Sequence, residues 1–181
     1  MRATGIVRKI DDLGRIVIPK EIRKTLRIRE SDPLEIFTDR DGQIILKKYS
    51  PIGELDSFAR DYVESLSATS GHIVCVTDRD TVISIAGGLK KEYFDKPTSD
   101  VFDKQLDQRN MYTASKGDAL FVPVINNDDI VAFNYQLVAP IISEGDVIGA
   151  VVMISADRPM NELDDKLASC AANFLGRLLE G

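Results

Sequence analysis

The 181-residue chain predicts an α+β fold divided into two unlike domains, and three observations carry that reading. Charge is split: residues 1–50 hold twelve Lys and Arg against eight Asp and Glu, a net +4, whereas residues 51–181 hold eleven against twenty-one, a net −10. The first fifty residues are short Ile/Val-rich runs broken by turns that end on glycine. The remainder alternates strand-like runs between two long amphipathic helical patterns. Residues 1–50 therefore read as a small basic β-rich domain, and residues 51–181 as an acidic α/β domain flanked by helices.

In the first domain four strand runs are predicted: Ala3 to Ile10, Arg15 to Ile18, Leu34 to Thr38 and Ile44 to Lys48. Asp11-Asp12-Leu13-Gly14 and Asp39-Arg40-Asp41-Gly42 separate them in pairs. Glycine accepts positive φ without steric cost, so each reads as a hairpin connection. Between the hairpins Pro19 marks a helix start, and Lys20 to Leu26 supply about two turns. Lys20, Arg23, Lys24 and Arg27 fall on one stripe of that helix, while Ile22 and Leu26 face the other way. Such a unit buries too little surface to be stable alone. Its apolar set, from Ile6 and Val7 through Ile16 to Ile18 and on to Leu46, exceeds what one thin sheet hides, so a dimer through residues 1–50 is expected.

Tyr49-Ser50-Pro51 marks the boundary. A helix from about Pro51 to Leu66 presents Ile52, Leu55, Phe58, Ala59, Tyr62 and Leu66 on one face. Strands are predicted at Ile73 to Thr77, Val82 to Ala86, Leu120 to Ile125, Val131 to Ile142 and Val147 to Ser155, with short helical material around Lys90 to Gln108. A last helix spans about Met160 to Leu179, with Leu163, Leu167, Ala171, Phe174 and Leu178 in register. The two long helices suit pairing with each other, or a helix bundle between subunits.

Several classes of chemistry lack material. With one histidine, His72, neither a Ser-His-Asp triad nor a multi-His metal site can be assembled, and His72 reads as a strand-end polar residue. Gly87-Gly88-Leu89-Lys90 lacks the length and trailing hydroxyl of a phosphate loop, so it reads as a turn. Asp78-Arg79-Asp80 and Asn126-Asn127-Asp128-Asp129 lack calcium-loop spacing and read as solvated turns. Cys75 and Cys170 read as buried free thiols. No catalytic residue, metal or cofactor is expected. The start is not apolar, and the longest near-apolar run, Val147 to Ala156, falls short of the roughly 20 residues of a membrane span. A cytoplasmic protein without a membrane partner is the expectation.

The positive signal is the set Arg8, Lys9, Arg15, Arg23 and Lys24: two at the end of one strand, one directly after a tight turn, two on the cationic helix stripe. A solvated face explains such residues; so does duplex DNA, whose phosphates and guanine edges accept the planar fork of arginine.

The run from Ala3 to Leu26, Ala-Thr-Gly-Ile-Val-Arg-Lys-Ile-Asp-Asp-Leu-Gly-Arg-Ile-Val-Ile-Pro-Lys-Glu-Ile-Arg-Lys-Thr-Leu, resembles the N-terminal domain of the AbrB family of transition-state regulators. That resemblance implies a swapped-hairpin β-barrel in which two chains interleave their hairpins, and it implies DNA contacts at Arg8, Lys9, Arg15, Arg23 and Lys24. Lys24 stands where an arginine is common. Ser143 to Val151, Ser-Glu-Gly-Asp-Val-Ile-Gly-Ala-Val, is similar to the hairpin and strand of GAF domains.

The full chain resembles sporulation regulators that join these two domains. The resemblance implies an activator and repressor of late, forespore-expressed genes, nucleoid-associated in the forespore cytoplasm, tetrameric through the GAF-domain helices. It also raises an unknown small-molecule ligand beneath the segment between Gly87 and Tyr112, lined by Tyr93, Phe94, Phe102 and Tyr112. Those four side chains equally suit a filled core. An antitoxin-like protein-binding module is the alternative function, since swapped-hairpin domains also serve there.

Overall fold

The computed structural model describes residues 5–126 and 133–180. Its contacts divide the chain into two units, Met1–Tyr49 and Ser50–Gly181.

In the first unit α1 (Lys20–Thr25) starts after Pro19, whose φ of −57° is already helical and whose missing N–H would have had no helical partner. Glu21 lies in its first turn, and Arg23 and Lys24 in its last, the order that the helix dipole favours. The helix ends where Arg27 enters the left-handed region at φ 52°. There the Ile28 N–H donates to the Arg23 carbonyl at 2.8 Å and the Arg27 N–H to the Lys24 carbonyl at 3.3 Å, a Schellman closure. Lys48 then fixes the reversal: its Nζ donates to the Arg27 carbonyl at 2.9 Å and pairs with Asp32 at 3.1 Å.

Strands β1 (Leu34–Thr38) and β2 (Ile44–Lys48) form an antiparallel hairpin with Ile36 opposite Leu46. Asp39 builds its turn, its Oδ1 accepting from the Asp41 N–H at 3.0 Å and the Gln43 N–H at 2.9 Å, with Gly42 at φ 77°. Asp11 builds the first predicted turn in the same way. Its Oδ1 accepts from the Leu13 N–H at 3.1 Å and the Arg15 N–H at 2.8 Å, and Gly14 sits at φ 76°.

The two runs flanking that first turn, residues 5–10 and 15–18, are not strands in the single chain. A strand exists only where a ladder takes up its N–H and C=O groups. The turn between these runs closes on the bond from the Asp11 N–H to the Arg15 carbonyl at 3.1 Å. Leu26, expected to face the core, is 55% exposed for the same reason: no second layer covers it.

The second unit is a five-stranded antiparallel sheet in the order β4-β3-β7-β6-β5. Its strands are β3 (Ile73–Asp78), β4 (Val82–Ala86), β5 (Tyr112–Ser115), β6 (Tyr135–Ser143) and β7 (Asp146–Ser155). Alternate side chains serve two cores, as the twofold period of a strand requires. Val74, Val76, Val151 and Met153 pack with Val63 and Leu66 of α2 (Asp56–Ser70) and with Ala168, Ala171 and Leu175 of α5 (Glu162–Leu178). Cys75, Val152 and Ile154 pack with Tyr93, Phe102 and Leu106, which belong to α3 (Lys90–Tyr93) and α4 (Asp100–Leu106). The sheet is thus a middle layer.

Several expectations are corrected. Leu120 to Ile125 forms no strand; Pro123 interrupts it, side chains take the Val122 and Pro123 backbone groups, and the Val124 carbonyl accepts from the Ser99 N–H at 2.9 Å. Gln136 donates to the Val122 carbonyl at 2.9 Å and accepts from the Val122 N–H at 3.2 Å, while the Ser99 hydroxyl donates to the Pro123 carbonyl. The predicted strand from Val131 starts at Tyr135, its first two residues lying outside the described residues, as do 127–129 of the Asn126 to Asp129 turn. β5 was not predicted. The first long helix opens as a single 3-10 turn (Ile52–Leu55), and α2 continues to Ser70 with Val63 buried in place of Tyr62. Cys170 is exposed while Cys75 is buried, and neither is in a disulfide.

The Asp78 to Asp80 turn is partly buried and not simply solvated. Asp78 Oδ1 accepts from the Asp80 and Thr81 N–H groups, both at 2.7 Å, and its Oδ2 from the Ser50 hydroxyl at 2.8 Å.

The largest correction concerns α5. Of the predicted stripe, Leu163, Phe174 and Leu178 are exposed, Leu167 is half-buried against the core and Ala171 is buried, in a face made of Asp164, Ala168, Ala171, Ala172, Leu175 and Gly176. Small residues let the helix approach β6 closely, to the point that a Cβ on Gly176 would collide with the Ile142 carbonyl.

Candidate nucleic-acid interface

The basic surface is built around the Asp11 turn and α1. Arg8, Lys9, Arg15, Arg23 and Lys24 are all exposed. Arg8 and Lys9 lie in the extended run before the turn, Arg15 directly after it, and Arg23 and Lys24 on the last turn of α1. Arg8 Nη1 donates to the Val7 carbonyl at 3.2 Å. Arg15 is held more firmly: its Nε donates to Asp11 Oδ2 at 2.8 Å, with side chains 69% and 38% exposed. The backbone and side-chain hydrogen bonds from Arg15 hold the Asp11 carboxyl below the usual carboxylate range. From the sequence Asp11 reads only as part of the hairpin turn and not as a partner of Arg15; the signal for the pair is an acid four residues before an arginine across a glycine turn.

Around this surface the unit leaves its apolar residues wet. Val7 is 84% exposed, Val17 72%, Ile36 66% and Ile44 63%. Each is worth about 1.5–3 kcal/mol when fully covered.

In the second unit the four aromatic residues named from sequence do not share one environment. Tyr93, Phe102 and Tyr112 are buried in the core between the sheet and α3–α4, and Phe94 is 41% exposed outside it. Burial pushes the Tyr112 phenol well up. Its hydroxyl is buried with no hydrogen-bond partner among the described residues.

Two features of this unit escaped the sequence reading. His72 stands at the entry to β3, as the sequence indicates, but is buried in a polar cluster: its Nε2 lies 3.2 Å from Asp164 Oδ2 and 2.9 Å from Arg158 Nη2. Asp164 also accepts from the Asn161 N–H at 3.0 Å, closing the capping box of α5, so this cluster ties the start of α5 to the end of α2. The second feature is an outward aromatic cluster on α2 and α5. Phe58 lies 6.0 Å from Tyr62 and 5.7 Å from Phe174, and Tyr62 lies 5.8 Å from Phe174. Desolvation, with Cys170 alongside, raises the Tyr62 phenol. Among the described residues no cluster of His, Cys, Asp and Glu is arranged for a metal, and no helix is long and apolar enough to cross a membrane.

Comparison with known proteins places both units. Residues 54–180 match the family described as stage V sporulation protein T C-terminal, transcription factor, and residues 7–54 match the family described as antidote-toxin recognition MazE, bacterial antitoxin. The chain is 52% identical over 180 residues to stage V sporulation protein T of Bacillus subtilis (strain 168), covering 99% of each. It is 65% identical over 51 residues to the transition state regulatory protein AbrB of the same organism, covering 28% of this chain and 52% of that one. The GAF domain of the Acinetobacter phosphoenolpyruvate-protein phosphotransferase superposes with a TM-score of 0.58 at 9% identity, covering 69% of this chain and 81% of that one, a likeness of fold alone. With that identity running over nearly its whole length, the chain belongs to the stage V sporulation protein T family.

Proposed function

We propose that the chain is a DNA-binding transcription regulator whose first fifty residues, as an interleaved swapped-hairpin dimer, grip duplex DNA through Arg8, Lys9, Arg15, Arg23 and Lys24. The observation that carries this reading is the pairing of wet apolar runs with exposed cations in one small unit. A second chain pairs its hairpin with residues 5–10 and 15–18, which are not strands in the single chain, and covers Val7, Val17, Ile36 and Ile44. It also doubles the basic patch into one broad surface. The likeness to AbrB over the same stretch supports it. Activation and repression of late forespore genes, nucleoid association in the forespore cytoplasm, and assembly into a tetramer through the outer faces of α2 and α5 complete the proposal. Tetramers place two heads on one DNA, so affinity comes partly from linkage.

The test is charge reversal. Arg15→Glu and Arg23→Glu in the full chain weaken duplex binding sharply at fixed salt while leaving the thermal melt in place; wild-type affinity in both variants sinks the proposal.

For ligand sensing by the second unit, the burial of Tyr93, Phe102 and Tyr112 favours the filled-core reading, because a ligand there has to displace them. A metabolite screen that shifts the melting temperature would reverse that preference. A second function is favoured by one specific observation, the match of residues 7–54 to an antitoxin family. In that reading the unit grips a small toxin, and the toxin co-purifies with the chain.

A further inference from the structure

The two turns of the first unit are built alike, and their difference isolates one side chain. Each is an Asp-x-x-Gly turn in which the aspartate Oδ1 accepts from the N–H groups two and four residues on, with glycine at φ 76° or 77°. In the second turn the residue four on is Gln43; in the first it is Arg15, and there alone the aspartate's other oxygen receives a guanidinium Nε, at 2.8 Å. The Asp39 turn closes without such a bond, so the Oδ2 to Nε contact is not a requirement of the turn. An acid on a surface that meets phosphates is otherwise a cost, since it repels the ligand.

We propose that Asp11 is a positioning residue of the DNA-binding surface: it holds the Arg15 guanidinium by Nε and leaves the edge formed by the two terminal nitrogens to engage a phosphate or a guanine in one fixed geometry. This rests on the reading of Arg15 as a DNA contact. Arginine pre-organised by a carboxylate loses less rotamer freedom on binding than one that swings in solvent, and the two-pronged contact is kept. Arg15 suits the role because its side chain is 69% exposed while its Nε is already engaged. The lowered carboxyl of Asp11 keeps the clamp charged across the whole neutral range.

Charge and positioning predict opposite signs for the same substitution. Asp11→Asn keeps an oxygen to accept the turn N–H groups and removes a negative charge. On charge alone it tightens DNA binding, and Asp39→Asn, which removes an equal charge from the matching turn, does the same. As a positioning residue Asp11 gives a loss: affinity falls roughly tenfold, within the fivefold to hundredfold range of a bidentate contact, while Asp39→Asn stays within about twofold of wild type or tighter.

The probes are a fluorescein-labelled duplex taken from the strongest genomic footprint of the wild-type protein and a scrambled duplex of the same length and composition. Arg15→Lys, which keeps charge and turn but has no Nε fork, loses the same factor, and the double variant Asp11→Asn/Arg15→Lys is no weaker than either single one. Thermal melts check that each variant is folded. If Asp11→Asn lowers the melt, Arg15→Lys alone decides. Wild-type or tighter binding by Asp11→Asn, or full affinity in Arg15→Lys, overturns the positioning role. Loss in Arg15→Glu beside either result leaves the Arg15 contact standing, and wild-type binding by Arg15→Glu overturns both.

Discussion

Phe174→Ala separates the two faces of α5. In the single chain the ring is 43% exposed and contacts Phe58 at 5.7 Å and Tyr62 at 5.8 Å. Each aromatic pair contributes about 0.5–1.5 kcal/mol beyond its area, so losing both costs a subunit about 1–3 kcal/mol and a few degrees of melting temperature. The proposed tetramer is affected more. Of the roughly 200 Å² that a phenylalanine can bury, about 90 Å² remains wet, which is about 2 kcal/mol per ring once covered. A twofold interface counts the ring twice, giving about 4 kcal/mol, or about a thousandfold in the dissociation constant. Sedimentation velocity over a concentration series reads this directly, with the wild type tetrameric at concentrations where Phe174→Ala is dimeric through the N-terminal unit. An unchanged midpoint between tetramer and dimer refutes the reasoning, because it means that the ring stays wet in the assembly.

The remaining predictions concern the head and the core. With about six phosphates engaged, log K for duplex DNA falls with log salt at a slope of roughly −5, and Arg23→Gln reduces its magnitude by roughly 2, since a dimer carries two copies; an unchanged slope removes Arg23 from the contact. Gly176→Ala destabilises the second unit by about 1–3 kcal/mol, read from thermal melts, although alanine is the better helix former by up to about 1 kcal/mol, because the added Cβ meets the Ile142 carbonyl and backbone does not yield cheaply. Tyr112→Phe stabilises the second unit by about 1 kcal/mol at neutral pH, as it removes a buried hydroxyl that has no partner among the described residues. The Tyr112 phenol is raised by burial, so its contribution is full below the ordinary phenol range and is lost as pH rises through and above it. Melts at neutral and strongly alkaline pH show that loss in the wild type and a smaller one in Tyr112→Phe.

Legibility in the sequence followed locality. The Asp-x-x-Gly turns, the start of α1 at Pro19, the hairpin of β1 and β2, and strands β3, β4 and β7 depend on a few consecutive residues, and each was readable. The exposure of Arg8, Lys9, Arg15, Arg23 and Lys24 was legible too, because charge is held at the surface. What failed was whatever depended on a distant partner. β5 is a four-residue edge strand recognisable only by its pairing with β6. Leu120 to Ile125 has strand composition, but the Gln136 and Ser99 side chains take its Val122 and Pro123 backbone groups. Asp11 was visible as a turn former and invisible as a clamp, since the turn fixes where its Oδ2 points.

By itself the sequence determined two domains of opposite charge, the basic residues of the head, and an apolar surplus in the first fifty residues that one chain does not hide. Tertiary structure alone decided which stripe of α5 faces the sheet. Leu163, Phe174 and Leu178 and the set Ala168, Ala171, Ala172 and Leu175 are both helical in period, so periodicity cannot choose between them. The choice falls to packing distance. Alanine and glycine let α5 come close over β6, and the large side chains are left on the outside, beside Phe58 and Tyr62.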